Sequence, residues 1–407
     1  LNVSTRDWLD THQDATGVRT AAKNYLHEIA PPPENGSPKA NATWWKSLTG
    51  DEQDAYVALN PAGLGKLDGI PSDIRDEANR TVLAEKQAEY RTELLGIPKE
   101  PKKYETRGPK ATTYTDEWLD WKHTYMDRKE HLKASLKGME AIEERFTRVG
   151  QKGTPRAYLL KFSPEGTGRA VIATGNPDTA DHTAVFVPGT KANLSNIKGD
   201  MNRTIDLWKA SSAQAPDHNI STITWLGYDA PQNVLLNSPD SGYANRGAAD
   251  FNQFLEGLSA ASHSGTGSHL TAIGHSYGST LIGSTARQGD LRVDDVIFAG
   301  SPGAQVSSAE EMDVPKGHVW NEEADGDKIP DIGRPFHGGE RDDPLLQSSF
   351  ARIIPSDEIF GANQMATDGS GHTSYFNYDD ERDIPSLSLL NQALVVVGRQ
   401  DRVKMND

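Results

Sequence analysis

The stretch His269-Leu-Thr-Ala-Ile-Gly-His-Ser-Tyr-Gly-Ser-Thr-Leu-Ile-Gly283 decides the reading of this chain. Its first half is apolar and strand-like. Its second half is a run of small residues suited to a helix lying close against a sheet. Between them stands Gly274-His-Ser-Tyr-Gly278, a G-x-S-x-G pentapeptide. A strand that turns abruptly into a helix needs glycines two before and two after the turning residue, because there the two segments pass too closely for side chains. Such a turn presents Ser276 at its tip. The Tyr277 backbone N–H then lies at the helix N-terminus, where it can meet an oxyanion. The pentapeptide recurs by chance in many chains, and the strand before it and small-residue helix after it make Ser276 the expected nucleophile.

Working outward, short apolar runs alternate with helical stretches from about residue 154. Expected strands are Arg156–Phe162, Ala170–Ala173, Thr183–Val187, Ser221–Leu226, Leu270–Gly274, Asp295–Ala299 and His318–Asn321. Expected helices are Ile197–Lys209, Gly247–Ala260, Tyr277–Gln288 and Leu387–Val397. This alternation implies an α/β fold whose mostly parallel central sheet carries helices on both faces.

A serine is a poor nucleophile without a base, and the base needs a carboxylate to orient it. Behind such a turn the chain order is Ser, then Asp or Glu, then His. Val319-Trp-Asn-Glu-Glu-Ala-Asp-Gly-Asp-Lys-Ile-Pro330 runs from a strand into an acidic loop. Asp327 is preferred to Asp325 as the acid, since the Ile-Pro pair after it redirects the chain. A hydrated Asp-Gly-Asp turn is the plain alternative, and the spacing does not match the EF-hand calcium loop. For the base, Gly369-Ser-Gly-His-Thr-Ser-Tyr375 places His372 in a late small-residue loop. His337, in Pro335-Phe-His-Gly-Gly339, is the second choice. His318 opens a strand and reads as structural, and His275 is expected to pack behind the turn. The second oxyanion N–H is expected where Thr183-Ala-Val-Phe-Val-Pro-Gly-Thr190 ends its strand, from Thr190 first and Gly189 second.

Taken together, Val187-Pro-Gly-Thr190, Gly274-His-Ser-Tyr-Gly-Ser279, Ala324-Asp-Gly-Asp-Lys-Ile-Pro330 and Gly371-His-Thr-Ser-Tyr-Phe376 resemble an actinobacterial α/β-hydrolase family long catalogued as a domain of unknown function. Trp44-Trp-Lys-Ser-Leu48 and Leu67-Asp-Gly-Ile-Pro71 match its helical N-terminal portion, so the resemblance runs from about residue 40 to the end. It implies an α/β-hydrolase fold with a triad on Ser276, Asp327 and His372, similar to lipase- and cutinase-type enzymes in its late Asp and His loops. It implies no substrate.

Residues 1–150 have a different texture and are expected to form a helical N-terminal region ahead of a catalytic domain over 151–407. Ser72 to Leu95 has helix-favouring residues, and Pro71 fits its first turn. Thr115 to Val149 repeats apolar residues at three- and four-residue intervals behind a Thr115 cap. Pro98 to Pro109 reads as an exposed connection. This half is read as a lid or buttress, or as an interaction module.

Net charge is −16, from 42 Lys and Arg against 58 Asp and Glu. No basic block is present, which argues against nucleic acid or anionic surfaces as partners. The absence of cysteine excludes disulfides, thiolate nucleophiles and Cys-ligated metals. With a mean hydropathy of −0.64, no stretch approaches the roughly 18 to 20 apolar residues of a membrane span. No cofactor and no metal are expected. Gly265 to Gly267 precede a strand rather than a helix, so a dinucleotide fingerprint fails, and no helix carries His pairs at metal-binding spacing. The visible start is not a signal peptide, and compartment and oligomeric state stay open. The expected function is esterase- or lipase-like cleavage of a small ester or lipid through an acyl-enzyme on Ser276. An acyltransferase, or a secreted lipid-attacking effector, would use the same residues.

Overall fold

The computed structural model describes residues 24–406 apart from 107–111, 234–237, 263–266 and 342–347. Gly265 and part of the Pro98–Pro109 connection thus lie outside the described residues. Eight strands form one sheet: β3 (Ala157–Ser163), β4 (Arg169–Thr174), β5 (His182–Val187), β6 (Ile220–Leu226), β7 (His269–His275), β8 (Asp295–Ala299), β9 (Val319–Glu322) and β10 (Asn363–Gln364). Its order is β10-β9-β8-β7-β5-β6-β4-β3. The six strands from β10 to β6 run parallel, while β4 pairs antiparallel with both β6 and β3. All seven expected strands are present to within a residue or two. In this sheet only two-residue β10, too short to leave a periodic signal, was not foreseen.

Central strands β6 and β8 are buried along their whole length, as helices on both faces require. Residues alternate between two cores. Val185 and Val187 of β5 join the cluster that holds Phe251, Phe254 and Leu281 of helices α8 (Gly242–Ala261) and α9 (Tyr277–Gln288). Ala184 and Phe186 face Leu207 and Ala210 of α7 (Ile197–Gln214) and Leu389 and Ala393 of α11 (Leu387–Val396). The period-two pattern of one strand therefore glues two helical layers to the sheet.

Ahead of the sheet lie α1 (Pro38–Ser47), α2 (Gly50–Leu59), α3 (Pro61–Leu64) and α4 (Ser72–Gly96). The expected helix from Thr115 is split into α5 (Asp116–Trp121), a π-helical turn at Lys122–Met126 and α6 (Asp127–Phe146), with the Thr115 side chain accepting from Trp118 N–H as cap. The connection before it carries a short hairpin, β1 (Tyr104–Thr106) against β2 (Thr112–Tyr114). Trp44, Trp45, Tyr56 and Leu64 form a small core of their own. Val82, Leu83 and Tyr90 of α4 and Leu132, Met139 and Ile142 of α6 belong instead to the same cluster as the sheet.

Candidate active site

Strand β7 ends at His275, and α9 begins at Tyr277. Ser276 between them has φ +55° and ψ −129°. A non-glycine residue in this region costs roughly 1–3 kcal/mol and persists only where its surroundings enforce it. The enforcement is visible on both sides. A Cβ on Gly278 would lie 2.1 Å from the Val187 carbonyl oxygen, and one on Gly274 would lie 2.7 Å from Ser279 N. Ser276 N–H donates to the Ala299 carbonyl at 3.0 Å, tying the turn to β8. The serine is 8% exposed and lines a cavity of about 620 Å³.

Strand β9 delivers the acidic loop beside this turn. The Asp327 carboxylate takes three hydrogen bonds: His372 Nδ1 at 2.8 Å and Tyr375 Oη at 2.6 Å on Oδ2, and Ile329 N–H at 2.9 Å on Oδ1. Burial works against its charge, but these donors outweigh it and hold its pKa below the ordinary value. Gly300, at φ +60°, makes the approach possible, because a Cβ there would meet Asp327 Oδ2 at 2.7 Å and His372 Nδ1 at 3.0 Å. Asp325 is exposed, and it acts through its backbone, accepting from Gly371 N–H at 2.9 Å. Of the two acids, Asp327 is the one whose carboxylate meets His372.

His372 lines the same cavity as Ser276. With Nδ1–H donating to Asp327, its Nε2 is left as the acceptor. Among the described residues no hydrogen bond joins that nitrogen to the Ser276 hydroxyl; in enzymes without substrate such bonds are often long. His275 packs behind the turn. Its ring stacks on His372 at 4.8 Å between centroids, and its Nε2–H donates to the His372 carbonyl at 2.8 Å. Burial, with His372 and Arg203 adding to it, lowers the His275 pKa to about 3, so the ring is neutral. It supports the base loop from beneath.

The other histidines have different duties. His337 is buried at the end of α10 (Ile329–His337). Its Nε2–H donates to the Ser238 carbonyl and its Nδ1 accepts from the Ser241 hydroxyl, so both nitrogens are occupied. It lines the cavity but does not meet Asp327. His318 pairs with Asp295 at 3.1 Å at the far end of the sheet. Thr190 and Tyr277 both border the cavity. Gly189 lies so close to the turn that a Cβ there would stand 2.7 Å from Ser276 Cβ and 3.0 Å from Tyr277 N. The Tyr277 side chain points away, accepting from Ala244 N–H and donating to the Asp240 carbonyl.

Three site features were not foreseen in the sequence. Tyr375, which donates to Asp327, sits three residues after His372 within a motif already singled out, and its spacing was the available signal. Asp200 and Arg203 of α7 form an ion pair of 3.0 Å on the cavity wall, with burial raising the Asp200 pKa to about 6 against the pull of Arg203. Nothing in their sequence setting marks them. The third is α10 itself, expected as a chain redirection at Ile329-Pro330. Pro330 fits a first helical turn, where no N–H is needed, and Pro335 near the end shortens the helix to nine residues. The described lining of the cavity comes entirely from residues 188–373. Among the described residues no group of His, Cys, Asp and Glu is arranged to hold a metal ion, and no helix is long and apolar enough to cross a membrane.

This architecture is that of an α/β hydrolase. Residues 163–336 match the family model described as alpha/beta hydrolase, and the chain belongs to that family. An uncharacterized protein of Mycobacterium bovis is 32% identical over 183 residues, covering 43% of this chain and 68% of its own length. An uncharacterized protein of Mycobacterium tuberculosis is 30% identical over 320 residues, which is 75% of this chain and 45% of that one. The chain thus spans about half the length of this relative. Among solved structures, an esterase of Pyrobaculum calidifontis is similar at 11% identity and a TM-score of 0.34, over 67% of this chain and 92% of its own. A likeness this distant carries no functional reading.

Proposed function

We propose that the protein is a serine hydrolase that cleaves carboxylic esters through an acyl-enzyme on Ser276. One observation carries this reading: a serine held at a strained strand–helix tip shares a cavity with a histidine whose other nitrogen is fixed by a buried carboxylate. In this reading Ser276 Oγ attacks the ester carbonyl carbon, and its proton passes to His372 Nε2. Asp327 keeps the imidazole oriented and stabilises its cation. The N–H groups of Tyr277 and Thr190 receive the negative oxygen. Collapse of the tetrahedral intermediate breaks the bond to the alcohol, which leaves with the proton from His372. Water, deprotonated by the same ring, then attacks the acyl carbon and releases the acid and Ser276.

The closeness of Gly189 to Ser276 and Tyr277 supports the oxyanion assignment, since it brings the Gly189–Thr190 backbone beside the reacting atom. Steady-state hydrolysis of p-nitrophenyl butyrate tests the proposal. Ser276→Ala and His372→Ala should each lower kcat by about 10³-fold or more. Undiminished turnover in a folded Ser276→Ala protein would refute it.

A further inference from the structure

Helix α10 presents Ile329, Ile332, Gly333 and Phe336 to the cavity, at spacings of three, four and seven residues that place them on one face. Among the described residues none covers that face. Ile332 is 59% and Phe336 47% exposed, although both border the cavity that holds Ser276. Scattered single apolar residues on a surface need no explanation, but two on one helical stripe, continuous with a cavity of about 620 Å³, form an open apolar wall. An acetyl or propionyl group would leave most of that space to water.

The wall is also registered to the reacting groups. Asp327 Oδ2 holds His372 while its Oδ1 receives the N–H of Ile329, the first residue of α10. Further along, Gly333 lies against Pro302 so closely that a Cβ there would stand 2.1 Å from Pro302 Cβ. One carboxylate and one glycine contact thus fix an apolar stripe beside the serine. The same cavity also carries the Asp200–Arg203 pair, which suits a polar group and not a hydrocarbon.

From this we infer that the α10 face is an acyl-chain subsite, and that the substrates are esters of medium- to long-chain fatty acids. The occupant follows from continuity: the wall begins at Ile329, whose N–H binds the Asp327 carboxylate, and lines the cavity of Ser276 as a stripe two helical turns long, the shape of an extended alkyl chain. The inference rests on the proposed ester hydrolysis for its reaction, but the subsite itself is a binding property that can be measured without turnover.

The test uses dodecanoate binding to the full chain carrying Ser276→Ala, followed by calorimetry below the micellar concentration, with butyrate as control. Dodecanoate should bind at least tenfold more tightly than butyrate, and Ile332→Ser with Phe336→Ser should weaken dodecanoate at least tenfold. Both side chains are about half exposed, so the replaced protein should keep its fold. Ile332→Ser alone gives a milder second variant. Leu95→Ser, on the outer surface of α4, should leave binding unchanged. In the unmodified nucleophile background, the same pair of replacements should lower the dodecanoate-to-acetate ratio of kcat/KM for p-nitrophenyl esters tenfold or more. Absence of dodecanoate binding, binding only above the micellar concentration, or binding indifferent to Ile332 and Phe336 would overturn the subsite. Normal dodecanoate binding in a protein that hydrolyses no ester would instead leave the subsite standing and remove the hydrolase reading.

Discussion

At the scale of single residues, the glycines and the buried carboxyl groups reveal most about the site. An added carbon on Gly278 would strike the Val187 carbonyl, one on Gly189 the serine turn, and one on Gly300 the Asp327–His372 pair. The first was readable from the pentapeptide. Gly300 was not, because its reason is a contact between loops 27 and 72 residues further along, and no local pattern records that. Glu322 illustrates another limit. It ends β9 fully buried, with Gln392 Nε2 at 2.9 Å on one oxygen, and burial raises its pKa well above the usual range. The folded protein therefore holds it protonated where the unfolded chain ionises above about pH 4.3. A raised pKa contributes stability at low pH that is progressively lost as pH rises above the unfolded value. Glu322→Gln, neutral at every pH, should escape that loss. Its melting temperature should gain on the parent between pH 4.5 and pH 8, as measured by calorimetry. A difference that does not change with pH would contradict the assignment.

At the scale of elements, the strands were legible because burial on both faces writes continuous apolar runs, and α9 because small residues must follow the turn. Helix α10 was hidden by its two prolines and its length, and the split between α5 and α6 by an unbroken apolar period. The ties between elements were also hidden, being made by polar side chains. His269 shows this. Its Nε2 meets the buried Asp295 carboxylate at 2.9 Å, and its Nδ1 meets the Val396 carbonyl at the end of α11 at 3.1 Å. Both partners accept, so a ring that satisfies them together carries two protons and a positive charge. Burial alone would lower its pKa, but the hydrogen bond and charge of Asp295, with Asp294 and the Val396 carbonyl, prevail and leave it raised. The clamp between β8 and α11 is accordingly fully present below about pH 6.5, the unfolded value, and is lost as pH rises through the higher folded one. Urea unfolding of the parent and His269→Gln should differ most near pH 5.5 and converge above the folded value. A gap that widens with pH would show the ring to be neutral in the fold.

At the scale of the whole molecule, composition excluded thiol chemistry, yet it said nothing of how the helical region meets the sheet. That junction is polar at its centre. Asp76 of α4 is fully buried and accepts from Arg80 Nε at 2.8 Å, Arg156 Nη2 at 2.7 Å and Leu159 N–H at 2.8 Å, while Ser72 donates twice to Asp178. With α4 and α6 sharing the core of the sheet, we propose that residues 24–150 buttress the β3 edge and unfold together with the rest. Asp76→Ala should cost roughly 1–3 kcal/mol, mainly for the orphaned Leu159 N–H, and the protein should melt in one calorimetric transition. Two separate transitions, with only the first shifted by Asp76→Ala, would mean that the helical region is an independent unit.

The central claim is the reactivity of one serine, and covalent labelling with a fluorophosphonate, read by intact mass and peptide mapping, tests it most directly. The account predicts a single adduct on Ser276, absent in Ser276→Ala and formed at least tenfold more slowly in Asp327→Ala and His372→Ala. No adduct on the folded protein, or an adduct on another residue that survives Ser276→Ala, would contradict it.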